Sequence, residues 1–228
     1  MQRWPAIFLV ALAACGSHSE SKADQGRSIA GAAGLPKDVA DFFALAAAGT
    51  EATYRVSLDT TDSAGQQLQV TTTQRPPDVR VDTFHADGTI DASLALKGHR
   101  YQCTMAAGQW QCGDLGVSSS ASGEVFGVTA VQLAIDRFKA RAADYDFRVE
   151  RRIIVNEQAT CLLTTRKPGH DQDPSLGTAA TLCLSPQGAI LSAEVPSGSL
   201  TASSYTTTIP DDALTLPAPV VPVTQSSS

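Results

Sequence analysis

From Tyr54 onward most of the chain alternates apolar and polar residues with a period of two, and this pattern constrains the fold more than any other feature. Tyr54, Val56 and Leu58 alternate with polar neighbours, as do Leu68, Val70 and Thr72. Val79 and Val81 follow Pro76-Pro77-Asp78, and Ile90, Ala92, Leu94 and Leu96 follow Asp87-Gly88. Successive strand side chains point to opposite faces of a sheet, so a two-residue period separated by turn residues predicts half-buried antiparallel strands. Tyr101, Cys103 and Met105 face Trp110 and Cys112 across Gly108, the pattern of a further hairpin. The period returns in Phe147, Val149, Ile153 and Val155, then in 161–165, 181–184, 190–195 and 199–209, with Ser185-Pro186-Gln187-Gly188 as a turn.

Two stretches break the alternation. Pro36 suits a first helical turn, Val39, Phe42, Phe43 and Ala46 recur at helical spacing, and Gly49 can close the end. The longer pattern places Val128, Val131, Ile135, Phe138 and Ala142 three and four residues apart, with Thr129 and Gln132 as its capping box. There is no fixed-period repeat. Strands, helix and more strands predict one large antiparallel sheet crossed by a helix.

The N-terminus predicts the compartment. Arg3 supplies a positive charge, residues 4–12 an apolar run too short to span a bilayer, and Leu12-Ala13-Ala14-Cys15 a lipobox. Residues 1–14 read as a lipoprotein signal peptide, and Cys15 as the acylated first residue of the mature protein, carrying palmitate or a similar chain. Two or three acyl chains hold a protein firmly where one does not. The small polar residues of 15–34 read as a flexible tether, 35–216 as the folded domain, and the Pro- and Ser-rich 217–228 as a disordered tail. The expected location is the extracytoplasmic face of a bacterial cell membrane, with the acyl chains as the membrane contact.

Besides Cys15 there are four cysteines, an even number for an oxidising compartment. Three pairings are possible. Cys103 with Cys112 and Cys161 with Cys183 is favoured, because each pair brackets one turn, and each closed loop would contribute about 3 kcal/mol in a chain-entropy account. A zinc site is disfavoured by the absence of C-x-x-C spacing.

Other chemistry has little support in the sequence. A net charge of −6, without a run of Lys or Arg, argues against nucleic acid as a partner. There is no G-x-S-x-G elbow, and His18, His85, His99 and His170 have no ligand spacing. His170, Asp171 and Asp173 lack the glycine and spacing of a calcium loop, and Asp144 with Asp146 and Asp211 with Asp212 read as solvated loop residues. The expectation is a protein with no catalytic residue, cofactor or metal.

Several segments together resemble a known group. They are the lipobox and tether, the strands through Cys103, the run Arg75-Pro76-Pro77-Asp78 with Val79-Arg80-Val81-Asp82, and Ala159-Thr160-Cys161-Leu162-Leu163 followed by the Cys183-Leu184-Ser185-Pro186-Gln187-Gly188 turn. This resembles the LolA/LolB-like superfamily of lipoprotein carriers, with its LppX/LprG-type lipid-binding lipoproteins, over residues 35–216. The resemblance implies an α+β fold, a curved antiparallel half-barrel whose concave side is covered by helices around an apolar cavity. It implies a non-enzymatic lipoprotein that binds or carries a lipid or other hydrophobic ligand. Ile90, Leu94 and Leu96, with Val131, Ile135 and Phe138 on the covering helix, are the residues it places on the cavity wall. The alternative is an envelope sensor or protein-interaction module of the same fold that holds no lipid.

Overall fold

The computed structural model describes residues 21–32, 34–61, 65–117, 143–169, 179–195 and 198–221. Among the described residues the main elements are two α-helices, α1 (Lys22–Ala32) and α2 (Lys37–Ala48), and eleven strands. The strands are β1 (Tyr54–Thr61), β2 (Gln67–Arg75), β3 (Asp78–Phe84), β4 (Ile90–Leu96), β5 (His99–Ala106), β6 (Gln109–Val117), β7 (Tyr145–Ile154), β8 (Glu157–Arg166), β9 (Ala179–Leu184), β10 (Ile190–Val195) and β11 (Gly198–Thr206).

All eleven form one open, curved antiparallel sheet in the order β6-β5-β4-β3-β2-β1-β11-β10-β9-β8-β7. Each half is a meander of hairpins, and the pairing of β1 with β11 joins the halves. The turns follow the local chemistry. Lys97-Gly98 and Ala107-Gly108 take positive φ at both residues, the two-residue geometry whose twist matches that of the flanking strands. Cys103 lies directly opposite Cys112, and Cys161 directly opposite Cys183, and each pair is joined by a disulfide.

The registers divide the side chains between two faces, and the apolar set changes face part-way across the sheet. On one face stand Tyr54, Val56 and Leu58 of β1, Val70 of β2, Val79 and Val81 of β3, and Leu162, Leu182 and Leu184 of β8 and β9. Helix α2 packs on this face, burying Val39, Phe42, Phe43 and Ala47 against Leu162 and Leu184, with Phe147, Val149 and Ile190 around them. Full burial of each Phe contributes about 1.5–3 kcal/mol. Towards β4–β6 this face becomes polar and exposed at Ser93, Gln102, Thr104 and Gln111.

The opposite face is polar on β1 and β2 (Arg55, Ser57, Asp59, Gln69) and apolar on β4–β6. There Ala92, Leu94, Leu96, Cys103 and Cys112 form a second core, covered by Leu214, Leu216 and Ala218 of the C-terminal segment. Residues 207–221 cross this face as a strap. Arg75 Nη2 donates to Ile209 O at 3.1 Å, Arg80 Nη1 to Thr215 O at 3.3 Å, and the Val221 N–H to Cys112 O at 2.9 Å. Beneath the strap, Arg80 is bonded to both carboxylate oxygens of Asp82, and its guanidinium lies 5.9 Å from the Trp110 ring centre.

Two boundaries differ from those read in the sequence. Residues 22–32, expected within the tether, form α1. Ser21 Oγ accepts from the Asp24 N–H at 3.2 Å while its hydroxyl donates to Asp24 Oδ2, and Arg27 bridges Asp24 and Asp41 of α2. Residues 217–221, expected in the disordered tail, are held at the β6 edge, where Val220 bridges Cys112. The long helix expected around Val131, Ile135 and Phe138 lies outside the described residues.

The end of α2 is locked to the sheet at Gly49 and Gly188. A Cβ on Gly49 would stand 2.4 Å from Gly188 O, and one on Gly188, at φ +83, would stand 2.2 Å from Leu45 O. The turn carrying Gly188 is itself fixed, since buried Ser185 Oγ accepts from the Gln187 and Ala189 N–H groups. Gly49→Ala should therefore lower unfolding stability by about 2–3 kcal/mol, the range for overpacking against backbone. Gly31→Ala, a helical site with nothing within 4 Å of the new Cβ, should raise it by up to about 1 kcal/mol. Urea unfolding of the two variants checks this; equal effects would contradict the close approach.

Candidate functional site

On the face that carries α2, the apolar side chains of the described residues do not fill the space beside the helix. A cavity of about 310 Å³ lies between the C-terminal end of α2 and strands β1–β3, bordered by β10 and β11. Its walls are Val56, Leu58, Val70, Val79, Val81, Ile190 and Leu200. Sequence dictates this wall directly, because every second residue of β1, β2 and β3 on this side is apolar or Thr, apart from Gln74 beside Tyr54. At β10 the alternation is broken by a bulge, with Leu191 extra between the Ile190–Leu184 and Ser192–Cys183 pairs.

The cavity is elongated and its ends differ. It runs from Tyr54 to Thr60 along β1, six residues or about 20 Å of strand. The Tyr54 end is closed: Tyr54, Gln74 and Thr50 are buried, and Gly49 and Gly188 meet backbone to backbone above them. At the other end half-buried Thr60 also borders a wider, solvent-open hollow of about 620 Å³ lined by Asp59, Gln67, Gln69 and His85. The wide hollow is polar, so the narrower cavity is the one suited to an apolar guest.

Polar groups gather at the closed end. Gln74 Nε2 donates to Gly49 O at 2.8 Å and to Ala52 O at 2.9 Å, and Thr50 Oγ1 donates to Ala47 O. Tyr54 stands directly opposite Gln74 in the β1–β2 register, its ring 6.5 Å from that of Tyr205. Burial pushes the Tyr54 hydroxyl up to about 12, and the neighbouring Tyr205 hydroxyl acts in the same direction. The phenol is thus a neutral donor throughout the physiological range.

The residues expected on the cavity wall are distributed otherwise. Ile90 and Leu94 stand opposite Phe84 and Arg80, and with Leu96, two residues on from Leu94, they project to the strap face, away from the cavity. Leu94 and Leu96 belong to the core covered by Leu214 and Leu216, and Ile90 borders the groove beside Arg80 and Trp110. The sheet changes its apolar side between β3 and β4, so strands that look alike in sequence serve opposite cores. Val131, Ile135, Phe138, His170, Asp171, Asp173 and Cys15 lie outside the described residues. Asp146 pairs with Lys167 and Asp211 with Arg75, both on the surface. Among the described residues no three His, Cys, Asp or Glu side chains stand together as a metal site, and no helix is long and apolar enough to cross a membrane.

No protein-family model and no curated protein matches this sequence. Among solved structures the chain is similar to MucB, at 18% identity and a TM-score of 0.42, over 80% of this chain and 64% of that one. It is similar to an uncharacterized conserved protein from Thermus thermophilus, at 10% identity and 0.46, over 81% and 98%. It is also similar to the Mycobacterium tuberculosis lipoprotein LppX, at 17% identity and 0.37, over 73% and 97%. The chain thus spans less than two thirds of the length of MucB.

The buried phenol makes a pH prediction. The unfolded chain releases the Tyr54 proton near pH 10, while the folded state holds it to about 12. The stability this provides is whole below pH 10 and is lost as pH rises towards 12, an effect of about 2–3 kcal/mol. Between pH 9 and 11.5 the urea midpoint should fall more steeply for the parent protein than for Tyr54→Phe; parallel slopes would contradict the burial.

Proposed function

We propose that the protein is a lipid-anchored envelope protein that binds one hydrophobic ligand, without chemical conversion, in the cavity between α2 and strands β1–β3. The observation that carries the reading is an apolar space of about 310 Å³ that the described residues leave unfilled beside α2. Small-molecule sites start at about 300 Å³, so the volume suits a single chain rather than a bundle of them. Each methylene moved from water into such a wall contributes about 0.8 kcal/mol before ordering costs, so eight of them supply about 6 kcal/mol.

The lipobox supports the location. Acylation of Cys15 would tether the fold beside the bilayer from which a ligand is drawn, and the two disulfides suit an oxidising compartment.

Two experiments test these claims. Cys15→Ser should abolish incorporation of labelled palmitate and move the protein from the membrane to the soluble fraction; retained label would overturn the anchor. Native mass spectrometry of the Cys15→Ser protein should show one apolar adduct per chain. Val81→Trp, which fills the cavity, should remove the adduct, and Leu115→Trp, at a site 60% exposed on β6, should leave it. Repeated absence of an adduct from the parent, or its survival in Val81→Trp, would refute the reading and favour an interaction module with an empty interior.

A further inference from the structure

The closed end of the cavity holds two polar atoms with no use in the fold. Tyr54 is 8% exposed and its hydroxyl makes no hydrogen bond among the described residues. Gln74 is 6% exposed; both of its amide protons are committed to Gly49 O and Ala52 O, which fixes the nitrogen and leaves Oε1 as an acceptor without a partner among the described residues. The two residues are directly paired across β1 and β2 and line the same end of the same cavity. Neither atom is sealed inside the protein, so each is left to pair with whatever enters the cavity. Both residues line the closed end of the cavity, and the donor and the acceptor together complement one chemical group, a neutral carboxyl. Its carbonyl oxygen accepts from Tyr54 Oη and its hydroxyl donates to Gln74 Oε1.

Resting on the cavity reading above, we propose that the ligand is a single-chain fatty acid bound head-inward, its protonated carboxyl between Tyr54 and Gln74 and its alkyl chain along Val56, Leu58, Val70 and Val81 towards Thr60. The elevated proton affinity of the Tyr54 phenol keeps it a donor, and the surrounding apolar walls favour the uncharged form of the acid.

The test compares two rod-shaped fluorescent probes of similar length, cis-parinaric acid, which carries a carboxyl, and diphenylhexatriene, which carries no polar atom. Both are titrated at pH 5 into the Cys15→Ser full chain and into the same chain with Tyr54→Phe. The proposal expects both probes to bind the parent. Tyr54→Phe should weaken cis-parinaric acid about tenfold, the effect of one lost buried hydrogen bond, while diphenylhexatriene stays within about twofold. An unchanged affinity for the acid, with both probes bound, overturns the carboxyl assignment and leaves the cavity reading standing. Failure of the parent to bind either probe overturns the cavity reading and the assignment with it. Loss of both probes in Tyr54→Phe, at an unchanged melting temperature, also overturns the assignment, because the hydroxyl would then hold the cavity open rather than bond the acid.

Discussion

The contact on which the cavity depends is the meeting of two backbones, Gly49 at the end of α2 and Gly188 in the β9–β10 turn. With no side chain at either position, the helix end descends onto the turn, and Gln74 fastens it from below through Gly49 O and Ala52 O. The helix is thereby fixed over β8–β10 while its last turn only reaches the border of β1–β3. The apolar side chains of those three strands have no helix above them among the described residues. A tighter or looser junction would either seal the space or flood it.

The sheet explains why one cover cannot serve it all. Its apolar residues lie mainly on the α2 face from β7 through β3, apart from the buried Ala159, Cys161 and Cys183, and on the strap face from β4 through β6, so the cores under α2 and under the strap form on opposite sides. The strap closes the second with Leu214, Leu216 and Ala218, and the Arg80–Asp82 pair under the Trp110 ring marks the changeover strand. Two disulfides, each between directly opposed residues, staple β5 to β6 and β8 to β9, close to the two free edges. The middle of the sheet, where the cavity lies, has no such staple and is held by α2 and the β1–β11 pairing.

The strands were legible because alternation over five or more residues leaves little choice of structure, and Gly or Pro marks nearly every turn. The four cysteines were legible for a related reason, since a pair bracketing one hairpin turn faces itself. What alternation does not reveal is which side each strand turns to the core. A register change of one residue sends every side chain to the other face, and Leu94 and Leu96 look as eligible for the cavity as Val79 and Val81. The capping pair Ser21 and Asp24 was present in the sequence as a helix start, yet the small polar residues around it read as a tether. Tyr54 and Gln74 could not be singled out either, because a polar residue at the end of a strand acquires meaning only when its opposite partner is known.

The central claim is that the guest lies on the α2 face and not on the strap face. It is tested most directly by intermolecular NOEs between methyl-labelled protein and an unlabelled bound acyl chain. The account predicts contacts from Val56, Leu58, Val70, Val79 and Val81 to chain protons, and none from Leu94 or Leu96. Contacts from Leu94 and Leu96, with silence from the β1–β3 valines, would contradict it.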